Sequence, residues 1–444
     1  MLGRRSRQWI TALALASALQ AGVAHADIGA LTTAYNRSGQ ELFRSLGAAP
    51  GNVVLSPLSI GTAMAMALAG ARGETQEDMR QALRHTLPAN AVGEANAQLL
   101  AALLDAAPSC PDGFRLEDRQ CAAPAPGKAD EVCPGGARRD GVRCVLDARS
   151  GKGTLRIANA LMLVNPSAIV ADSYRDTIRK HYRAEIFTGA DLATVNGWVK
   201  DKTEGKIPVI IERLNPQDSH VLLNAIYFNA PWAHAFAASA TRDHAFHLSN
   251  GEMVEVPTMS QTAPFATHKA EGYQAIRLPY ARDGLSMVLV LPDEIDGLGK
   301  VTAGLEGSGL AGLLSALGTA PTRTVALSMP KFKFESAAEL IPSFKALGMT
   351  KVFDPAQSDL SGLTGLPRDQ AQSTIDQIVH RAVIDVGEEG TEAAAATAVI
   401  VTTRTLAPSQ PIERFVVDRP FLFVIADDRT GAILFIGRVA DPRS

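Results

Sequence analysis

Helix-period patterns occupy the early part of this chain and strand-like runs the later part, with no regular βαβ alternation between them. A parallel crossover needs a helix between successive strands. Helices first and strands later therefore point to an α+β architecture rather than a doubly wound sheet. Ser59–Leu68, Glu74–Leu87 and Ala91–Ala107 have helical spacing, the second opening near Gly73 and ending at Pro88. Strand-like runs cover Leu155–Val164, Ser219–Phe228, Gly284–Leu291, Thr324–Ser328 and Val379–Val386. In the tail, Arg414–Val424 and Ala432–Val439 are rich in Val, Ile and Phe and read as buried strands. With 46% hydrophobic and 20% charged residues, the chain has the material for a large core and is not disordered.

Arg4, Arg5 and Arg7 precede an apolar run from Trp9 to about Ala24, which closes on Ala24-His25-Ala26. A charged head, a short apolar middle and small residues at a cut site read as a secretory signal peptide over residues 1–26. Residues 27–444 are then a soluble, exported protein, secreted or periplasmic. The run is short of the roughly 20 apolar residues that span a bilayer, and Asp27 at the cut offers no thiol for a lipid. The formal net charge of −3 becomes more negative once the leading arginines are removed. Such a balance excludes a general nucleic-acid binder, which carries a basic footprint.

From Pro108 to Ser150 the composition turns to Pro, Gly, Arg and Asp, and this segment holds all four cysteines: Cys110, Cys121, Cys133 and Cys144. It contains a weak repeat. Cys110-Pro-Asp-Gly-Phe-Arg leads to Cys121 as Cys133-Pro-Gly-Gly-Ala-Arg leads to Cys144, with ten residues between the cysteines in each copy. In an exported protein an even cysteine count reads as disulfides. The repeat favours Cys110–Cys121 with Cys133–Cys144, without deciding among the three pairings. Each such short loop, once closed, is stabilised by roughly 2–3 kcal/mol. A four-cysteine zinc site is the weaker alternative, because zinc ligands come in closely spaced pairs. Residues 108–150 read as a small module appended on a surface loop.

The segment that points to function begins at Glu388-Glu389-Gly390-Thr391-Glu392, runs through Ala393, Ala394, Ala395 and Ala396, and continues as Thr397-Ala398-Val399-Ile400-Val401-Thr402-Thr403-Arg404-Thr405. The alanines favour helix and the β-branched residues favour strand. Divided preference beside a glycine and a Pro-rich polar tail, Leu406 to Pro411, marks a loop able to become a strand. An ordinary exposed linker is the plain alternative.

Glu-Glu-Gly-Thr-Glu-Ala-Ala-Ala-Ala-Thr closely resembles the reactive-loop hinge of inhibitory serpins. Other landmarks resemble that family in order: Asn52–Ile60, Gly70–Thr75, Leu223–Phe228 with Trp232, Met329–Phe332, Leu347–Phe353 and Val417–Phe423. Only the cysteine segment falls outside them. The resemblance implies three β-sheets with about nine helices and an exposed reactive-centre loop over residues 388–411. It also implies a suicide-substrate mechanism. A protease cuts the loop, is held as an acyl-enzyme, and is dragged and distorted as the loop inserts into the largest sheet. Serpin loop insertion is itself a known instance of strand addition and of structural switching.

The residues fit that physics. A strand entering a sheet sends alternate side chains into the core. Counting by twos from Thr391 gives Ala393, Ala395, Thr397, Val399, Val401 and Thr403, none charged. A charge there would have to be desolvated, whereas Glu392 falls on the opposite face. About a dozen new backbone hydrogen bonds at roughly 1 kcal/mol net each give on the order of 10 kcal/mol. That matches the whole stability of a protease domain, about 5–15 kcal/mol.

In the family the cut falls fourteen residues beyond the hinge glycine, which from Gly390 is Arg404, making Arg404–Thr405 the bait bond. Arginine suits the acidic pocket of trypsin-like proteases. The stretch from Arg404 to Pro420 is longer than in many relatives, so a shifted bond, such as that after Leu406, would favour chymotrypsin-like targets; cysteine proteases are a further alternative. By resemblance, Ser56, Asn224 and His380 form a hydrogen-bonded shutter under the parting strands. Trp232, Lys331 and Glu388 form the breach where insertion begins, with Lys331 and Glu388 as an ion pair. The expected protein is a monomer that is not an enzyme, needs no cofactor and no metal, and has no membrane or nucleic-acid partner. No Gly-x-Ser-x-Gly elbow and no His-Glu-x-x-His motif supports a hydrolase. A non-inhibitory carrier or chaperone serpin is the remaining alternative, and the hinge composition argues against it.

Overall fold

The computed structural model describes residues 28–48, 50–104, 115–117, 120–124, 138–140, 143–147, 153–282, 284–370, 373–391 and 412–443. Helix α1 (28–46) is followed by strand β1 (Val53–Leu55) and helices α2 (Pro57–Gly70), α3 (Gly73–Ala82) and α4 (Ala89–Leu104). The cysteine segment contributes β2 (Arg115–Glu117), β3 (Gln120–Pro124), β4 (Arg138–Asp140) and β5 (Arg143–Asp147). Next come β6 (Thr154–Leu163), α5 (Asp172–Tyr182), β7 (Glu185–Thr188), α6 (Leu192–Lys202) and β8 (His220–Pro231). Strands β9 (Arg242–His247), β10 (Met253–Ala270), β11 (Tyr273–Pro279) and β12 (Leu285–Pro292) precede α7 (Leu298–Gly304) and α8 (Gly309–Thr319). The chain continues through β13 (Thr322–Pro330), β14 (Phe332–Glu339), α9 (Ile341–Ala346) and α10 (Ser361–Thr364). It ends with β15 (Ile375–Val386), β16 (Gly390–Thr391), β17 (Glu413–Val416), β18 (Phe421–Asp427) and β19 (Ile433–Val439).

Among the described residues the strands form three sheets. One has nine strands in the order β1-β19-β18-β12-β11-β10-β13-β17, with β9 beside β10. The second has six, in which β14, β15, β8, β6 and β7 lie side by side and the two-residue β16 fits between β15 and β8 at one end. The third is the four-stranded β2-β3-β5-β4 of the cysteine segment. Helix α2 packs behind the six-stranded sheet. Its Ala- and Met-rich sequence is apolar all round, which is the pattern of a helix with no solvent face, and all its residues but Ala69 are buried. It starts cleanly because Ser56 caps it, accepting from the Ser59 N–H at 3.0 Å, and Pro57 occupies the first turn, where no N–H is needed.

Two expectations from sequence are corrected. The helix from Glu74 does not reach Leu87. It stops at Ala82 because Arg84 takes a left-handed backbone, φ 60°, and is held there by its bidentate pair with Glu41. The tail strand over Arg414–Val424 is two strands, β17 and β18. They part at Asp418-Arg419-Pro420, where proline removes a ladder donor.

Candidate functional site

The centre of the six-stranded sheet is its one parallel seam between long strands. Strands β8 and β15 run side by side from His220–Ile375 to Ile226–Ala382, with His380 directly opposite Asn224. Beyond Ala382 the two strands are held apart by β16. After Val386 the chain turns through Gly387, Glu388 and Glu389 and heads back down the sheet. Thr391 then pairs antiparallel with Val386 on one side and Ala230 on the other. A short strand is thus already wedged into the mouth of the seam. Glycine at 390 is required by close approach, since a Cβ there would lie 2.2 Å from the Ala230 carbonyl oxygen.

The wedge is braced from several directions. Thr391 is fully buried, and its hydroxyl shares a 2.7 Å hydrogen bond with the Tyr280 hydroxyl. Tyr280 stacks on Trp232 with ring centroids 4.6 Å apart, and the Trp232 indole N–H donates to the Gly387 carbonyl at 2.9 Å. Lys331 Nζ lies 2.9 Å from Glu388, which also accepts from the Thr241 hydroxyl at 2.8 Å. Burial alone would raise the Glu388 pKa. The hydrogen bonds from Lys331, its own backbone and Thr241 outweigh it and hold the carboxyl below its usual value. Trp232, Lys331 and Glu388, named from sequence, therefore come together here. Tyr280 and Thr241 were not named, because nothing in their local sequence signals a contact that exists only after folding.

Lower in the seam, adjacent residues of β15 clasp it on both faces, as the two-residue period of a strand requires. On the inner face His380 is fully buried. Its Nε2 accepts from the Ser56 N–H at 3.3 Å and its Nδ1–H donates to Asn224 Oδ1. Asn224 in turn donates to the Ser59 carbonyl at 2.9 Å and to Asn159. The bonds fix the neutral Nδ1–H tautomer, and burial lowers the His380 pKa to about 3. On the outer face Arg381 donates to the Ile210 carbonyl at 3.1 Å and pairs with Glu212 at 3.2 Å and Glu335 at 2.7 Å. Val383 joins Ile210, Ile211, Val195 and Val199 in an apolar cluster above the sheet. Ser56, Asn224 and His380 thus come together, with Ser59 and Asn159 beside them and Arg381 on the opposite face.

Glu392, Ala393, Ala394, Ala395, Ala396, Thr397, Arg404 and Thr405 lie outside the described residues, as do Cys110 and Cys133. Cys121 falls in β3; Cys144, in β5, is buried and disulfide-bonded.

The profile of the family described as Serpin (serine protease inhibitor) matches residues 33–442. An uncharacterized serpin-like protein of Thermococcus kodakarensis is 33% identical over 414 residues, covering 91% of this chain and 84% of its own. The leukocyte elastase inhibitor of Homo sapiens is 31% identical over 439 residues, covering 93% and 99%. Among solved structures, the thermophilic serpin Tengpin in its native state superposes with a TM-score of 0.74 at 25% identity, covering 93% of this chain and 94% of its own.

The buried histidines make the native state acid-sensitive. His380 at about 3, His85 at about 4 and His220 are all lowered, by burial first. An unfolded histidine titrates near 6.5, so between those values the unfolded chain binds more protons. Stability is full above about pH 6.5 and falls with acidification by up to about 1.4 kcal/mol per unit for each group. Urea unfolding from pH 7.5 to 5 should show this decline. His380→Gln should remove about one proton's share of the slope, and an unchanged slope would contradict a neutral His380.

Proposed function

The chain belongs to the serpin family, and on that footing we propose that it is an exported inhibitor of trypsin-like serine proteases. It offers Arg404–Thr405 as bait and traps its attacker by inserting the cut loop between β8 and β15. The single observation that carries this reading is the wedge. Gly390–Thr391 already sits in the seam, antiparallel to both neighbours, in a register that can simply be continued.

Continuing it sets Ala393 opposite Phe228 and Ile384, Ala395 opposite Ile226 and Ala382, and Thr397 opposite Asn224 and His380. Directly opposed residues share a face, so these positions follow Thr391 inward, and small uncharged side chains suit them. Insertion must break the His380–Asn224 bond. Thr397 arrives at that level with a hydroxyl that both donates and accepts, so neither buried partner is left unsatisfied. The parallel seam also becomes two antiparallel pairings, which are somewhat stronger per residue. The signal-like residues 1–26 and the even cysteine count favour an oxidising compartment outside the cytoplasm, with Cys110–Cys121 and Cys133–Cys144 as the pairing.

The reading is tested by incubating the protein with trypsin, resolving a detergent-resistant adduct on a denaturing gel and weighing the released C-terminal peptide, which should begin at Thr405. Arg404→Ala should slow trypsin inhibition by at least about a hundredfold, since the charged specificity pocket loses its partner. A peptide beginning elsewhere, or undiminished inhibition by this variant, would move the bait bond. Thr391→Arg places a charge where the native side chain is fully buried. It should convert the protein from a trap into a substrate that trypsin cleaves and releases, whereas an undiminished adduct yield would rule out insertion as the trapping step.

A further inference from the structure

The seam between β8 and β15 changes character at its lower end. From Val221 opposite Gln377 to Ile226 opposite Ala382 the two strands advance in step. One level further down, His220 stands opposite Ile375, so β15 advances two residues where β8 advances one. Asp376 is the extra residue of a β-bulge. Burial shows what the bulge does. Ile378, His380, Ala382, Ile384 and Val386 alternate toward the inner core, and a strict two-residue period would send Asp376 there next. Instead Ile375 takes the buried place among the core residues. The Asp376 carboxylate, costly to bury, is turned aside to the neighbouring strand.

That carboxylate grips the start of β8. Its Oδ2 accepts from the Ser219 N–H at 2.7 Å and the His220 N–H at 3.4 Å, while Oδ1 accepts from the Thr374 hydroxyl at 2.8 Å. A return bond crosses the other way, from the buried His220 ring, whose Nδ1–H donates to the Thr374 carbonyl at 3.0 Å. Gln377 adds a bond to the Asp218 carboxylate. Both sides are anchored outward as well. The Ser219 carbonyl accepts from the Val164 N–H at 3.2 Å, just past β6, and the Ile378 carbonyl from the Leu340 N–H at 2.9 Å, just past β14. Hydrogen bonds accepted by a carboxylate are about twice as strong as neutral ones. The seam therefore runs from a mouth already parted by β16 to a tied foot.

We propose that the Asp376 bulge is a latch at the foot of the seam, so that β8 and β15 part from the breach downward and the foot yields last. The proposal rests on the inhibitory reading above and concerns how far, and how readily, the seam it invokes can open. Register supplies the argument. Val221 lies nine residues before Ala230 and Gln377 nine before Val386, the two partners of Thr391. A strand continuing the wedge is therefore matched with both neighbours down to that level. One level lower His220 is ten residues before Ala230, but its partner Ile375 is eleven before Val386. No strand stays in step with both sides there unless the bulge is smoothed out. Smoothing it takes the carboxylate off the Ser219 and His220 amides and, by the change of parity, turns it toward the core. The bulge is at once the last fastening and the stop. Asp376 acts through β8 and is a positioning residue.

The test is residue-resolved amide hydrogen exchange on the full chain and on Asp376→Ala and Asp376→Asn. The Ala variant should exchange at least about tenfold faster at the Ser219 and His220 amides, while those of Leu222 to Ile226 stay within about twofold, because the loss is confined to the foot. Asp376→Asn keeps the shape without the charge; it should raise exchange at the same two amides at least about threefold, and it carries the test if the Ala variant does not fold. On warm incubation without protease, the variants should lose trypsin-inhibiting capacity several-fold sooner than the full chain. Unchanged exchange at Ser219 and His220 in a folded variant overturns the proposal. So does an acceleration spread evenly up to Ile226, which would make Asp376 a general support of the sheet, and so does an equal lifetime of inhibiting capacity. Failure of every form, the unaltered chain included, to give a trypsin adduct strikes the inhibitory reading instead, and the exchange rates still decide whether the foot is latched.

Discussion

The parallel seam between β8 and β15 is the constraint on which the rest of the structure depends. Two central strands that run the same way cannot be joined by a tight turn, so each takes its neighbours from distant parts of the chain. A strand that turns back from the end of one of them is antiparallel to both. The turn at Gly387–Glu389 does this, and the direction and register of any further insertion follow from it. On the proposed mechanism, insertion would lengthen a hairpin already closed, with no new long loop to bring together. That removes the entropic cost of finding the site and leaves only residue-by-residue ordering.

The breach shows why such a wedge can exist without running on. Thr391 is satisfied by Tyr280, and the bracing contacts of Trp232, Lys331 and Thr241 all act on residues 387 and 388, upstream of the wedge. Nothing in those contacts pulls the following residues inward. From the level of Ile226 and Ala382 downward the strands are already paired with each other, so on the proposed insertion each residue from Ala395 on must displace a β8–β15 contact before making its own. The native state is held by this exchange rather than by any single strong bond. The Lys331–Glu388 pair illustrates the point: Lys331 is 42% exposed, and a partly solvated pair of that kind is worth little by itself.

Much of this was legible in the sequence where spacing along the chain carries the information. The hinge, its alternating small residues and the breach trio are recognisable because each depends on local order or a short motif. The partners that complete them were not. Tyr280, Thr241 and Asn159 meet the hinge and shutter through side-chain hydrogen bonds between segments more than sixty residues apart. Arg381 was overlooked although it adjoins His380, because an arginine in a strand ordinarily reads as a solvated side chain. The early stop of α3 depended on Glu41 reaching Arg84 from another helix. The repeat in residues 108–150 was visible as cysteine spacing, yet its two-fold pairing needed the register of β3 on β5.

The two clasps on the seam differ in what they demand of an inserting strand. His380 and Asn224 sit on the inner face without solvent, where an unpaired polar group costs about 1–3 kcal/mol. That clasp can be released only if a replacement donor and acceptor arrive at the same level. Arg381 lies on the outer face at the edge of solvent, and its carboxylate partners Glu212 and Glu335 are 72% and 42% exposed. Water can stand in for them at once. The outer clasp is therefore chiefly steric, through the Ile210 segment that it ties over Val383, whereas the inner one is chemical. A chain with an apolar residue in place of Thr397 would pass the first and be penalised at the second. On the proposed mechanism, the hydroxyl at Thr397, midway along an otherwise Ala-rich run, answers that difference.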